Sequence, residues 1–279
     1  MTDKGAIRFR FGMPKSNVLD IGEFSFVALE PDCDLRGKEE FCTIMSCRPK
    51  NDSRTVIWNC LATGTFAFEN VESGAQADFH LWSAKFNNRI SKHHGHHSKK
   101  RFHTASDSIA VGNGVIHIQI AKSFYVDLAN PENQLITDSS DAARFQIEDQ
   151  ELWLSKKRLS THSPFFNTLF TGDFKEKSEG EFKLEDMNLE EFVHFVGILY
   201  CFNMPIDKES VEYLLQLADM WQCELVLHRC EEFLSKASDK DFPRMKKLFL
   251  ADRYKLQELM LDTVDKITMN EAKLMCRNS

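Results

Sequence analysis

The sequence predicts two domains of different class, an antiparallel all-β sandwich followed by an α+β domain with a helical extension. Three observations carry that prediction. Apolar residues recur with period two, broken by turn residues, over roughly the first 127 positions. A polar stretch, LANPENQLITDSSD at 128–141, then interrupts the pattern. Beyond it the apolar spacing becomes helical, most clearly after Ser163-Pro164 and from Leu189 onward. A length of 279 residues allows two cores.

Ile7 to Phe11 alternates, Phe24 to Leu29 is a mostly apolar run closed by Pro31-Asp32, and Phe41 to Ser46 leads to a Pro49–Ser53 turn. Thr55 to Cys60, Thr65 to Phe68, Phe79 to Trp82, Ser108 to Val111 and Val115 to Ile120 follow. Gly112-Asn113-Gly114 before the last of these reads as a hairpin turn. Seven or eight such strands make a sandwich the economical architecture, and no helix is expected before about residue 135. Residues 1–127 are therefore assigned to the sandwich and 128–140 to a linker.

In the second half, Ala142 to Ile147 and Leu152 to Leu154 read as strands around the acidic turn Glu148–Glu151, and Glu181 to Leu184 as a third. Ser163 is a favoured N-cap and Pro164 suits the first helical position, so Phe165, Phe166, Leu169 and Phe170 should form a buried helix. Further helices are expected over Leu189–Tyr200, from Val211 to Trp221 behind Asp207, over Leu225–Leu234, Pro243–Ala251 and Leu256–Leu274.

Composition narrows the function. A net charge of −7 argues against nucleic acid as the main partner, because few cations remain to neutralise phosphates. No apolar run reaches the roughly 18 residues of a membrane span, and MTDKGAIRFRFGMPK lacks a secretory apolar core, so a cytoplasmic or nuclear protein is expected. The eight cysteines include no CxxC pair and read as free thiols. The glycine-rich phosphate loops, nucleophile elbows and HExxH pairs of enzymes are missing from the sequence. His194 and Cys201, seven residues apart, would stack about 10 Å apart along a helix, too far for a nucleophile and its base. No catalytic residue and no cofactor are expected. His93, His94, His96 and His97 could converge on a metal, but Gly95, Ser91 and Ser98 make the stretch read as a solvated loop.

The run from Asp141 through Leu234 resembles the BTB (POZ) domain in its nematode form. The likeness rests on LSTHSPFFNTLFTGDFKE, EDMNLEEFVHFVGILY and VEYLLQLADMWQCELVLHRCEEFL, together with Asp141 before the first strand and Lys156 at the second strand's end. It places the BTB domain at 141–235 and a helical extension at 236–279, where Lys246 to Met260 is similar to the segment that follows the domain in the same proteins. More weakly, FCTIMSCRPK at 41–50, Trp58–Cys60 through Phe66–Asn70, and Val111–Ile120 resemble the MATH (TRAF-like) domain. The family's aromatic-glycine-aromatic segment is replaced here by HHGHHSKKRFH, so no groove residue is carried over.

The resemblance implies a dimerising adaptor. Such proteins bind a cullin-three class scaffold through the BTB domain and hold a protein client on the MATH-like domain, for a ubiquitin ligase. The scaffold contact falls in the family on an apolar-x-Glu pattern after the Pro-Phe-Phe helix, which Phe174-Lys175-Glu176 matches. An exposed Phe entering a partner pocket contributes about 1.5–3 kcal/mol, and the acid adds steering. The plain alternative is that Phe174 folds back on its own helix and Glu176 is solvated. The expected partners are the scaffold, a second copy or a related BTB chain, and an unidentified client, with no nucleic acid and no membrane. The alternative function is a BTB-mediated structural interaction protein that recruits no ligase.

Overall fold

A computed structural model of the chain describes residues 3–10, 14–29, 41–70, 76–88, 98–104, 111–172, 181–200, 202 and 204–267. It divides into two compact units, 1–127 and 128–279.

Among the described residues the N-terminal unit is an antiparallel sandwich of eight strands. Its strands are β1 (Lys4–Arg10), β2 (Leu19–Ile21), β3 (Phe24–Leu29), β4 (Phe41–Pro49), β5 (Val56–Asn70), β6 (Gln76–Asn87), β7 (Ser98–Thr104) and β8 (Val111–Asp127). One sheet has the order β1-β8-β5-β6 and the other β2-β3-β4-β7. Aromatic pairs join the inner faces: Phe24 meets Trp58 at 5.7 Å and Phe26 meets Phe86 at 6.1 Å. Asn88 ties the end of β6 to β5, accepting from Trp58 N and donating to the Val56 carbonyl.

Three strands are far longer than their apolar runs suggested. Thr55–Cys60 and Thr65–Phe68 merge into β5, because Gly64 between them continues the ladder opposite Ile118 and Trp82. The expected hairpin at Gly112-Asn113-Gly114 does not form. Val111 to Ile120 runs straight on in β8, with Gly114 paired to both Phe9 and Phe68. Glycine is needed there for room rather than for a turn: a Cβ would sit 2.3 Å from Cζ of Phe9, whose ring stacks on Phe66 at 6.0 Å. The expected strand start at Ser108 lies outside the described residues.

The C-terminal unit opens with the three-stranded sheet β10-β9-β11, formed by β9 (Ala142–Ile147), β10 (Gln150–Ser155) and β11 (Glu181–Leu184). β10 pairs antiparallel and β11 parallel to β9. The helices are α1 (Lys156–His162), α2 (Pro164–Thr171), α3 (Leu189–Leu199), α4 (Val211–Met220), α5 (Glu224–Lys236), α6 (Arg244–Tyr254) and α7 (Gln257–Val264). α3 is the central one, with nine of its eleven residues buried, including His194. The long final helix expected to Leu274 ends at Val264, and residues beyond 267 are outside those described.

The 128–140 stretch is held against β10 rather than left free. Leu128 and Leu135 are buried, Trp153 N donates to the Leu128 carbonyl, and the buried Asn133 amide donates to Asn130 O and Trp153 O. Lys156, expected at a strand end, is the first residue of α1. Ser155 caps that helix by accepting from Arg158 N, and Asp141 accepts from Lys157 N at 2.8 Å.

His194 locks α3 to its neighbours. Its Nε2–H donates to the Pro205 carbonyl at 2.9 Å, so Nδ1 is left to accept from the Tyr213 hydroxyl at 2.5 Å. Burial pushes its pKa down to about 4. The unfolded chain therefore takes up a proton near pH 6.5 that the folded chain refuses until about pH 4. Stability is full above pH 6.5 and falls as pH drops through that window, by up to about 3 kcal/mol. Urea midpoints of wild type between pH 7 and pH 4 should show this slope, and His194→Gln should flatten it.

Candidate functional site

The predicted scaffold residues Phe174 and Glu176 lie outside the described residues, as do His93, His94, His96 and His97. What is described is the frame on either side of 173–180. α2 enters this segment through Gly172, whose N–H donates to the Thr168 carbonyl at 2.8 Å, and β11 leaves it at Glu181. Both ends rest on one aromatic cluster. Phe170 of α2 and Phe182 of β11 meet at 5.1 Å, and each packs on Phe145 of β9, at 6.3 and 5.4 Å. Arg144 links the strands beneath, 2.8 Å from Glu151 and 3.7 Å from Glu181. These pairs are part exposed and contribute little, so the rings are what hold the two ends together.

α2 itself is only half a core helix. Phe166 is fully buried against Phe145 and Trp221, whereas Phe165 is exposed and Leu169 and Phe170 are partly so. The expectation that all four apolar residues are buried fails because the helix has just eight residues and turns one side to solvent. Ser163 fixes its direction. The hydroxyl accepts from Phe166 N as the N-cap and donates to the Trp221 carbonyl at 2.5 Å, joining the start of α2 to the end of α4.

That junction forms a cleft of about 610 Å³, lined by Thr161 and His162 of α1, Pro164 of α2, Asp219 and Gln222 at the end of α4, and Glu224, Leu225 and Leu227 of α5. Gln222 has φ 52°, and Cys223 N donates to Ala218 O while Gln222 N donates to Asp219 O, a Schellman stop. This turn brings Asp219 and Glu224 to the rim. The cleft lies at the N-terminal end of α2 and the 173–180 segment at the other end, about 12 Å along the helix. Pro164 and Leu225 were read in the sequence as helix positions and none of the cleft residues as a site residue, since only the approach of the start of α2 to the end of α4 brings them together.

A second, apolar groove of about 600 Å³ lies between α6 and α7, lined by Met245, Leu248, Phe249, Met260, Val264 and Ile267, with Phe249 63% exposed. α7 is set by Glu231 of α5, which is buried and accepts from Leu259 N at 2.9 Å in the helix's first turn.

Little in this geometry resembles a reaction centre. Both His194 nitrogens are engaged, and Cys201 lies outside the described residues. Burial raises the thiols of Cys47, Cys223 and Cys230, the last to about 12, away from the thiolate needed in a nucleophile. Among the described residues no group of three or more His, Cys, Asp and Glu is placed to hold a metal, and no helix is long and apolar enough to cross a membrane.

Residues 137–238 match the BTB/POZ domain family. The chain is similar to BTB and MATH domain-containing protein 38 of Caenorhabditis elegans, 27% identical over 82% of this chain and 60% of that one. BTB and MATH domain-containing protein 15 of the same organism is 32% identical over 43% of each chain. The human Kelch repeat and BTB domain-containing protein 4 is 23% identical over 57% of this chain and 27% of its own length. The chain thus spans about 60% or less of these three relatives.

Proposed function

We propose, from a chain whose residues 137–238 are a BTB/POZ domain and whose likeness to a BTB and MATH domain-containing protein runs over 82% of its length, that it is a dimerising adaptor for a cullin-three class ubiquitin ligase. The BTB domain engages the cullin, and the N-terminal MATH-like sandwich holds the client. On this reading the protein joins others and catalyses nothing itself, in the cytoplasm or nucleus.

The observation that carries the proposal is the frame around 173–180. A segment containing Phe-x-Glu leaves a helix and enters a strand that both rest on Phe145, so its two ends are fixed before any partner arrives. Preorganisation of this kind lowers the ordering cost of binding. Phe174 supplies the apolar anchor and Glu176 the charged contact, while the acidic rim of Asp219 and Glu224 extends the surface along α2.

The test is a titration of the full chain with the cullin N-terminal region. Wild type should bind, and Phe174→Ala with Glu176→Ala should bind about 100-fold more weakly, as loss of an anchor plus its charged neighbour implies. No binding by wild type sinks the ligase reading. It leaves the second reading, a structural interaction protein, which the exposed Phe249 groove favours as an apolar surface open to another chain. Sedimentation at micromolar concentration checks self-association, and a monomer would remove the dimer from either reading.

A further inference from the structure

The outer face of the β1-β8-β5-β6 sheet is cationic in a chain whose net charge is −7. The strand register arranges its side chains in rows. Arg8 of β1 stands beside Val115 of β8 and Ala67 of β5. The next row is Ala6, His117, Thr65 and Leu81. Then come Lys4, Gln119, Thr63 and Ser83, and finally Lys122, Leu61 and Lys85. Lys122 reaches this face because the ladder slips between Leu61 and Ala62. Ala121 is the extra residue of a bulge, and a one-residue slip turns Lys122 from the inner face to the outer one.

Arg8, Lys4, Lys122 and Lys85 are all exposed, and none makes an ion pair with a described carboxylate. No Asp or Glu stands among the described side chains of these rows. The C-terminal unit is different, since its exposed cations often have partners: Lys183 with Glu185, Lys246 with Glu212, Lys266 with Asp262. Between the cations are hydroxyls and an amide, from Thr63, Thr65, Ser83 and Gln119, and apolar side chains, of which Leu81 is 83% exposed and Leu61 partly exposed, while Val115 and Ala67 beside Arg8 are buried.

We infer that this sheet face docks an acidic, extended segment of a protein partner. Same-face residues along a strand are about 7 Å apart and neighbouring strands about 4.8 Å, so Lys85 and Lys122, two strands apart, are separated by about 10 Å. A segment in extended form presents alternate carboxylates about 7 Å apart, a gap that the long flexible side chains of two lysines about 10 Å apart can close, and its apolar residue has Leu81 to pack on. Nucleic acid fits less well. The one aromatic ring in these rows is the His117 imidazole, with no Phe, Tyr or Trp beside it to stack successive bases, and the chain as a whole repels polyphosphate. The inference stands whether or not the BTB domain recruits a ligase.

The test uses the full chain and a short fluorescent peptide alternating glutamate with serine and leucine, its glutamine counterpart, and single-stranded DNA of equal charge as competitor. The glutamate peptide should bind at least roughly ten-fold more tightly than the glutamine one, and raising ionic strength from about 0.05 to about 0.3 M should weaken it. Lys85→Glu with Lys122→Glu should lose roughly ten-fold, two exposed charge contacts of about threefold each. Lys85→Gln with Lys122→Gln should lose less, which separates charge from any folding defect that circular dichroism detects. Lys183→Glu with Lys240→Glu, on the C-terminal unit, should leave binding unchanged. Equal binding of the two peptides, an equal loss in the control pair, or stronger competition by DNA than by unlabelled peptide overturns the proposal.

Discussion

Phe145→Ala is expected to destabilise the C-terminal unit by about 3–5 kcal/mol, the range for emptying a buried aromatic site. The ring is fully buried and meets Phe166, Phe170, Phe182 and Phe192 at centroid distances of 6.0, 6.3, 5.4 and 5.9 Å. It touches β11 and α2 at once, so its removal also frees both ends of the 173–180 segment. Hydrogen exchange read by mass spectrometry should show lost protection over 142–155 and 181–199, with the sandwich strands unchanged. If the chain recruits a cullin as proposed, that binding should weaken although Phe174 and Glu176 are intact. Phe145→Leu, which keeps most of the volume, should cost less than about 1.5 kcal/mol. A cost below about 1 kcal/mol for the alanine variant would mean the cluster does not hold the unit together.

Gly64→Ala should be the most damaging single-methyl change in the sandwich. An added Cβ would lie 1.8 Å from the His117 carbonyl oxygen and 2.8 Å from its carbon. These are backbone atoms of the strand paired with β5, so relief requires β5 and β8 to part where Gly64 faces Ile118. We expect a loss of about 3 kcal/mol, at the upper end for overpacking. Gly114→Ala is the contrast. Its Cβ would clash with the far end of the Phe9 ring, which can swing aside at the expense of its stacking on Phe66, about 1 kcal/mol. Thermal denaturation of the two variants should rank them in that order, and equal midpoints would contradict it.

Much of the architecture was legible in the residues. Alternating apolar runs such as Phe24–Leu29 identify strands because side chains along a strand point to opposite faces every second residue. Ser163-Pro164 marks a helix start because the Ser hydroxyl and the fixed proline φ serve only that end. The glycines were misleading. Gly112-Asn113-Gly114 has the chemistry of a tight turn, yet Gly114 serves a ring arriving from β1, more than a hundred residues earlier in the chain. α1 was hidden because its cap acceptors, Ser155 and Asp141, are separated by a strand pair and act together only once β9 and β10 have formed.

The residue pattern alone was enough to read the two-unit order, a sandwich followed by an α+β domain matching the BTB/POZ family, and the position of Phe-x-Glu after α2. Those follow from period, capping chemistry and a long ordered likeness, all of which are local or linear. It took the packed molecule to gather both ends of that segment on Phe145, to set Asp219 and Glu224 on the rim of a cleft with His162, and to turn Lys122, through a bulge at Ala121, onto a face with Lys4, Arg8 and Lys85. The reason is physical. Pairing register and helix packing join residues far apart in the chain, and a slip of one residue in a strand reverses which side chains meet.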